Sequence, residues 1–335
     1  MTKSSHEQNP ICSIIIRTYN EEDHIGRLLT GIMEQTVKDV EIIVVDSGSS
    51  DATIAIASRF PTTIVSIDPD EFSFGRSLNL GCQTATAEFL VFASAHVYPF
   101  YPDWLERLLE PFEHPKVGLV YGKQRGDVGT HFSEHQQFRR MYPSSSLIPQ
   151  KHPLCNNANA AIRRSLWERH PYDESLSGLE DLAWATWLLA EGYYLAYESN
   201  AVVIHLHDES PQQVLNRYKR EAIALAKIRP DESFGLWDFV RLTLSNIISD
   251  SRNAIRERKL LKVFWSVVWF RTMQYLGTYL GFRHAGPVSD EVIRAFYYPK
   301  GEMQRGEENT REVPPIEYSK VTQVMSDVEE DNRHV

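Results

Sequence analysis

Between residues 12 and 94, short apolar runs, the first of them β-branched, alternate with helix-forming stretches, and three of the runs end in polar clusters. The runs are CSIIIR from Cys12, EIIVV from Glu41, Thr63 to Ile67, and Phe89 to Ala93. Helical patterns over residues 24–35, 52–59 and 76–85 separate them. Such alternation predicts an α/β fold with a mostly parallel sheet covered by helices on both faces. In these sheets ligands bind beyond the carboxyl ends of the strands. Three clusters fall there: Thr18-Tyr19-Asn20, Asp46-Ser47-Gly48-Ser49 and Ser94-Ala95-His96. A single cluster would simply finish a strand, but three on one edge predict a binding crevice.

Beyond Pro102 the pattern loosens. A strand is expected over residues 117–122, and a long, partly structured loop over 126–153. A short helix begins at Arg164. Leu182 to Glu191 reads as a helix ended by Gly192, with Glu180 and Asp181 at its start, where the helix dipole favours carboxylates. A strand over 201–207 has a period of two, which puts His205 and His207 on one face. Residues 211–285 read as helical.

The stretch Leu260 to Phe282 is apolar but carries Arg271 near its centre, at a cost of about 2.5–3.5 kcal/mol for insertion. A membrane-spanning role is therefore not expected. Lys262, Ser266, Gln274 and Thr278 recur near helical spacing as a narrow polar stripe. Two roles stay open: a core or dimer helix, or contact with a membrane surface through residues 251–285, whose net charge is +6.

The chain of 335 residues carries a net charge of −10, which argues against a nucleic-acid partner. Residues 301–335 have a net charge of −5 and are expected to be disordered. Cys12, Cys82 and Cys155 are odd in number and form no CxxC pair, as expected for free thiols in a reducing compartment. The polar start MTKSSHEQNP lacks an apolar stretch. A cytoplasmic protein, peripheral on the inner face of the membrane if it meets one, is the expectation.

Six segments, in order, carry a family resemblance: SIIIRTYNEE, VVDSGSSDAT, GRSLNLGCQTATAEFLVFASAHVYP, NNANAAIRRSLWE, LEDLAWATWLLAEGY and AVVIHLH. Together they resemble the family 2 glycosyltransferases of GT-A fold over about residues 11–207. The resemblance implies an inverting transferase that moves a sugar from a nucleotide-sugar to an acceptor hydroxyl, in polysaccharide or glycolipid synthesis. It divides the chain into a flexible start (1–10), a GT-A domain (11–210), a helical C-terminal region (211–300) and the acidic tail (301–335). Nucleotide-sugar contacts are implied for Arg17, Thr18, Tyr19, Asp46, Ser47, Asp51, Arg76, Asn79, Ser94 and His96. Asp181, with Glu180 beside it, matches the catalytic acid pair, and Asp181 is the better match to the base. Asn157 and Asn159 are expected on the acceptor side.

Most relatives have Asp-x-Asp where this chain has Ser94-Ala95-His96, and the last Asp there holds a divalent metal. Here His96 with His205, and less directly His207, would make a nitrogen-rich site that prefers Mn²⁺ to Mg²⁺. The alternative is a metal-free site in which a protonated His96 and Arg76 hold the leaving diphosphate. Glycosyl transfer needs one or the other, because negative charge grows on the leaving group. A scaffold that has lost catalysis is the competing reading, and a homo-oligomer stays open. A dehydrogenase is rejected, since RTYNEE stands where GxGxxG would follow the first strand.

Overall fold

The computed structural model describes residues 10–207, 209–284 and 313–318. The start and most of the acidic tail therefore lie outside the described residues. A nine-stranded sheet organises the chain as far as His205. Its first half follows the alternation of the sequence: β1 (Cys12–Thr18), α1 (Ile25–Met33), β2 (Val40–Asp46), α2 (Thr53–Ala57), β3 (Thr62–Ser66), α3 (Phe74–Thr84) and β4 (Phe89–Ser94). These four strands are parallel in the order β3-β2-β1-β4.

The period of two divides β1 between two cores. Ile14 and Ile16 face α1, α2 and α4 (Trp104–Leu109), while Ile15 faces α3. All three isoleucines are fully buried. Each contributes about 1.5–3 kcal/mol by leaving water, which fixes the strand at the centre of the sheet. Register then aligns the polar strand ends: Thr18 lies opposite Asp46, and Arg17 opposite Ser94.

The second half of the sheet is mixed, so the mostly parallel pairing expected from the sequence is unbroken only in the first four strands. β8 (Asn159–Arg163) runs antiparallel to β4, and β6 (Val117–Arg125) antiparallel to β8. β9 (Tyr194–His205) runs parallel to β6 and antiparallel to the short β5 (Val97–Pro99). Val97 pairs with His205, and the Leu206 N–H donates to the His96 carbonyl. This pairing brings Ser94-Ala95-His96 against the last strand.

The loop expected over 126–153 instead contains α5 (Phe132–Met141) and β7 (Leu147–Gln150), which pairs with β9. Polar residues among the apolar ones hid this helix. Ser133, Glu134 and Gln136 are buried along with Phe132 and Phe138. Two more helices complete the sheet domain, α6 (Arg164–Arg169) and α7 (Glu180–Ala190).

Three helices follow: α8 (Pro211–Ile228), α9 (Leu236–Arg256) and α10 (Leu260–Arg283). Ser210 and Gln213 form a capping box at the start of α8. α10 lies directly on α8. A methyl group at Gly277 or Gly281 would collide with the carbonyl oxygens of Leu215 and Lys219. The polar stripe of α10 turns inward only in its second half: Lys262 is exposed and Ser266 half-buried. Gln274 and Thr278 are buried, and the fully buried Arg271 pairs with Asp250 of α9 at 2.8 Å. Arg271 also donates to Gln274 and to the Ser133 carbonyl. Among the described residues, no helix is long and apolar enough to cross a membrane.

Candidate active site

Two adjoining cavities open at the aligned strand ends, with volumes of about 260 and 160 Å³. Arg17, Phe74 and Ser94 line both. The smaller is also lined by Thr18, Tyr19, Glu21, Ser47, Phe72 and His96. The larger adds Asn157, Glu180, Asp181, His205 and His207, together with residues of α5 and α8. Most of the predicted site residues thus meet in one place.

Others do not. Asp46 lines neither cavity. Its carboxylate accepts from the backbone N–H groups of Gly48 and Ser49, so it shapes the turn that presents Ser47. Gly48 takes a φ of 87° in that turn, which suits glycine. Asp51 accepts from the N–H groups of Glu22 and Thr53, tying the loop after β1 to the start of α2. Arg76 is held by Glu71 at 2.7 Å and Glu174 at 3.6 Å, so its cation is already neutralised away from the cavities. Asn79 is buried: it donates to the Tyr172 carbonyl and accepts from Trp167 Nε1 and the Tyr172 N–H. Asn159, fully buried, accepts from Trp104 Nε1 and donates to the carbonyls of Lys123 and Ala201. Asn79 and Asn159 therefore satisfy buried backbone and indole groups and face neither cavity.

The two acids of α7 differ in surroundings. Glu180 is buried and pairs with Arg17 at 3.1 Å, with Asn157 Nδ2 at 3.4 Å. Asp181 Oδ1 accepts from the Leu182 N–H, and the residue lines the larger cavity. Loss of hydration and the neighbouring Glu180 charge raise its pKa to about 7. Leu179, just before the pair, sits at φ 56°, a left-handed conformation costly for a branched side chain.

His96, His205 and His207 form a cluster. One ring nitrogen of each lies within 4.8 Å of the others. Each Nδ1 is paired with an oxygen: Glu21 Oε1 at 2.7 Å from His96, Gln124 Oε1 at 2.7 Å from His205, and Glu134 Oε1 at 2.6 Å from His207. These acceptors make every Nδ1 the proton donor and leave Nε2 as the free lone pair in each ring. His205 Nε2 is buried without a hydrogen-bond partner. Burial, and after it the neighbouring imidazoles and Arg217, hold the pKa of His205 well below the ordinary histidine value. Burial and Arg217 do the same for His207. Both rings are therefore neutral, the form that binds a metal. Oxygens that hold the Nδ1–H groups, and so fix where Nε2 points, are the usual support of histidine metal sites.

The supports Glu21, Gln124 and Glu134 were not singled out in the sequence, nor was Phe74. The Phe74 ring lies under two guanidinium groups, Arg17 at 5.1 Å and Arg220 at 4.7 Å. The spacing of Glu134, Gln137, Phe138 and Met141 on one helix face is the signal that would have revealed the α5 wall.

The family model for glycosyl transferase family 2 matches residues 13–170. O-antigen chain rhamnosyltransferase RfbN of Salmonella typhimurium is 30% identical over 220 residues, spanning 62% of this chain and 69% of that protein. The chain belongs to glycosyltransferase family 2. O-antigen chain rhamnosyltransferase WbaN of Salmonella anatum is 29% identical over 223 residues, covering 62% of this chain and 70% of that one. Among solved structures, mannosyltransferase PcManGT from Pyrobaculum calidifontis, in complex with GDP-Man and Mn²⁺, superposes with a TM-score of 0.57. It is 20% identical and covers 81% of this chain and 86% of its own. That likeness concerns the fold: this family 2 glycosyltransferase has the helix-flanked GT-A sheet expected of it, followed by C-terminal helices.

Proposed function

We propose that this glycosyltransferase moves a sugar, with inversion, from a nucleotide-sugar to a hydroxyl of a glycan or lipid-linked glycan in polysaccharide synthesis. The observation that carries the reading is the placing of Asp181 in the same cavity as His205 and His207. That cavity adjoins the smaller one through Arg17 and Ser94. A base and a leaving-group site on two sides of one space are what a single displacement requires.

The nucleotide is assigned to the smaller cavity, between Thr18, Ser47 and the aromatic rings of Tyr19 and Phe72. Asp181 is assigned as the base. A carboxylate with a raised pKa is better matched to an acceptor hydroxyl than an ordinary one. Glu180, neutralised by Arg17, orients that guanidinium toward Phe74 and the junction of the cavities. The metal assignment follows from the donors. Imidazole nitrogens with their Nδ1–H groups held by oxygens suit Mn²⁺, which accepts nitrogen ligands more readily, better than Mg²⁺, which keeps to oxygen. A bound divalent ion would supply positive charge against the leaving diphosphate. Since Arg76 is neutralised elsewhere, the metal-free alternative loses its main cation. The assembled cavity argues against a scaffold without catalysis.

The named activities of the Salmonella relatives support a cell-surface polysaccharide as product and put nucleotide-activated rhamnose first in a donor panel. The test is turnover of that panel with and without Mn²⁺, with the anomeric configuration of the product read by NMR. Inverted product from one donor is expected. A retained anomer, or turnover equal in EDTA, would overturn the mechanism or the metal assignment respectively.

A further inference from the structure

We propose that the outer face of α9 and the first turns of α10 dock this enzyme on an anionic lipid bilayer. The inward turn of the α10 polar stripe leaves a different surface exposed from the one suggested by sequence. On α9, Trp237, Val240, Leu244, Ile248 and Ile255 are exposed at 73%, 37%, 55%, 49% and 59%. Their spacing sets them on one stripe, opposite the buried Leu242, Asn246 and Asp250. At the start of α10, Leu261 and Trp265, one turn apart on one face, are exposed at 96% and 75%. Clusters of large apolar side chains left in water mark interaction surfaces.

Charge identifies the occupant. The other exposed residues of 236–265 are Leu236, Phe264, Ser245, Arg241, Arg252, Arg256, Arg258, Lys259 and Lys262, with no exposed acid among them. Asp238 and Glu257 are only partly exposed and are paired, with Arg241 and with Arg139 and Lys259. A chain of net charge −10 thus keeps one apolar stripe rimmed by cations. Apolar side chains flanked by arginines, with tryptophans at both ends, fit the headgroup boundary of an anionic membrane. A symmetric second copy fits poorly, because a two-fold interface sets this patch against itself and cation against cation.

The surface is one helix away from the candidate active site. Arg139 and Arg140 of α5 pair with Glu257 and Asp250, while Gln137, Phe138 and Met141 line the larger cavity. A docked enzyme would hold that cavity near the bilayer, where a lipid-linked acceptor lies. The docking itself does not rest on the transfer chemistry, because it is measured without donor or acceptor.

The test is flotation of the full chain with vesicles of phosphatidylcholine alone or mixed with phosphatidylglycerol, at low and high salt. Binding is expected to the mixed vesicles at low salt, weakening as salt rises. Arg252→Gln with Arg256→Gln should lower partition about thirtyfold, at roughly one basic residue's attraction each. Leu244→Ser with Trp265→Ser should lower it at least tenfold, by about the cost of exposing their burial in lipid. These side chains point to solvent, so the variants should melt like the parent. A parent chain that ignores anionic vesicles at low salt overturns the proposal. So does binding that both pairs leave intact. Self-association in sedimentation that the apolar pair abolishes, with no vesicle binding, would assign the face to a second copy instead.

Discussion

Asp181→Asn should cost rate and raise stability together, a combination that separates a base from a helix cap. In the unfolded chain an aspartate titrates near 3.9, and in the fold burial and Glu180 lift Asp181 to about 7. Between those values the unfolded chain has released a proton that the folded chain still holds. Stability therefore falls as pH rises from about 4 to about 7. The full displacement would amount to about 4 kcal/mol. Water in the open cavity screens part of it, so the charged carboxylate should cost about 1–2 kcal/mol at pH 8. The neutral amide removes that cost. Thermal unfolding of Asp181→Asn should therefore occur a few degrees above the parent at pH 8, and near the parent at pH 5. The transfer rate at saturating donor should drop about 10²–10⁴-fold. The parent's rate should climb with pH through about 7, as the base loses its proton. A near-parental rate for Asp181→Asn would refute the assignment. A fall in stability at pH 8 would refute the electrostatic argument and leave Asp181 as a cap.

Arg271→Met should destabilise the chain by about 3–5 kcal/mol, because it strands Asp250 in the core; Arg271→Met with Asp250→Leu should recover most of it in denaturant titrations. Asn159→Ala removes the acceptor of the buried Trp104 indole N–H and a donor to two carbonyls, and should cost about 2–4 kcal/mol. Its kcat per folded molecule should match the parent, whereas an acceptor-binding role would raise KM. His205→Ala should abolish saturable Mn²⁺ binding measured by electron spin resonance. In the parent, metal binding should persist below the ordinary histidine pKa of about 6.5. The sign follows from the neutral ring being the ligand: a lowered pKa keeps His205 and His207 neutral at lower pH. Loss of binding in step with an ordinary histidine would contradict this.

The sequence made legible whatever depends on local pattern. β1 and β2 are built on β-branched runs and β4 on an apolar one, and their polar ends met because register in a parallel sheet aligns carboxyl ends. His205 and His207 were readable as neighbours from the period of two, although β9 ends at His205. Their meeting with His96 was suggested by family order and is produced by the β5–β9 pairing, a long-range contact that no local pattern encodes. Residues whose polarity is used internally were misread. Asn79 and Asn159 carry the same side chain that a sugar-binding asparagine would, and only their partners reveal that the amides are spent on Tyr172, Trp167, Trp104 and the strand carbonyls. Arg76 looked free because Glu174, which helps neutralise it, lies far along the chain.

The C-terminal helices show why hydropathy cannot give the direction of a face. α10 is apolar nearly all round, so its few polar residues did not decide between a core or dimer helix and a membrane contact. Yet a buried arginine is tolerated if a carboxylate meets it and its remaining donors are used. Asp250, Gln274 and the Ser133 carbonyl supply that set, from α9, α10 and α5. Three helices thus converge on one guanidinium, and the polar stripe becomes the seam that holds them in place. Once the seam is inside, the apolar residues of α9 have no protein left to cover them among the described residues. The same ion pair that fixes the helices against the pocket wall therefore turns the apolar, cation-rimmed stripe outward.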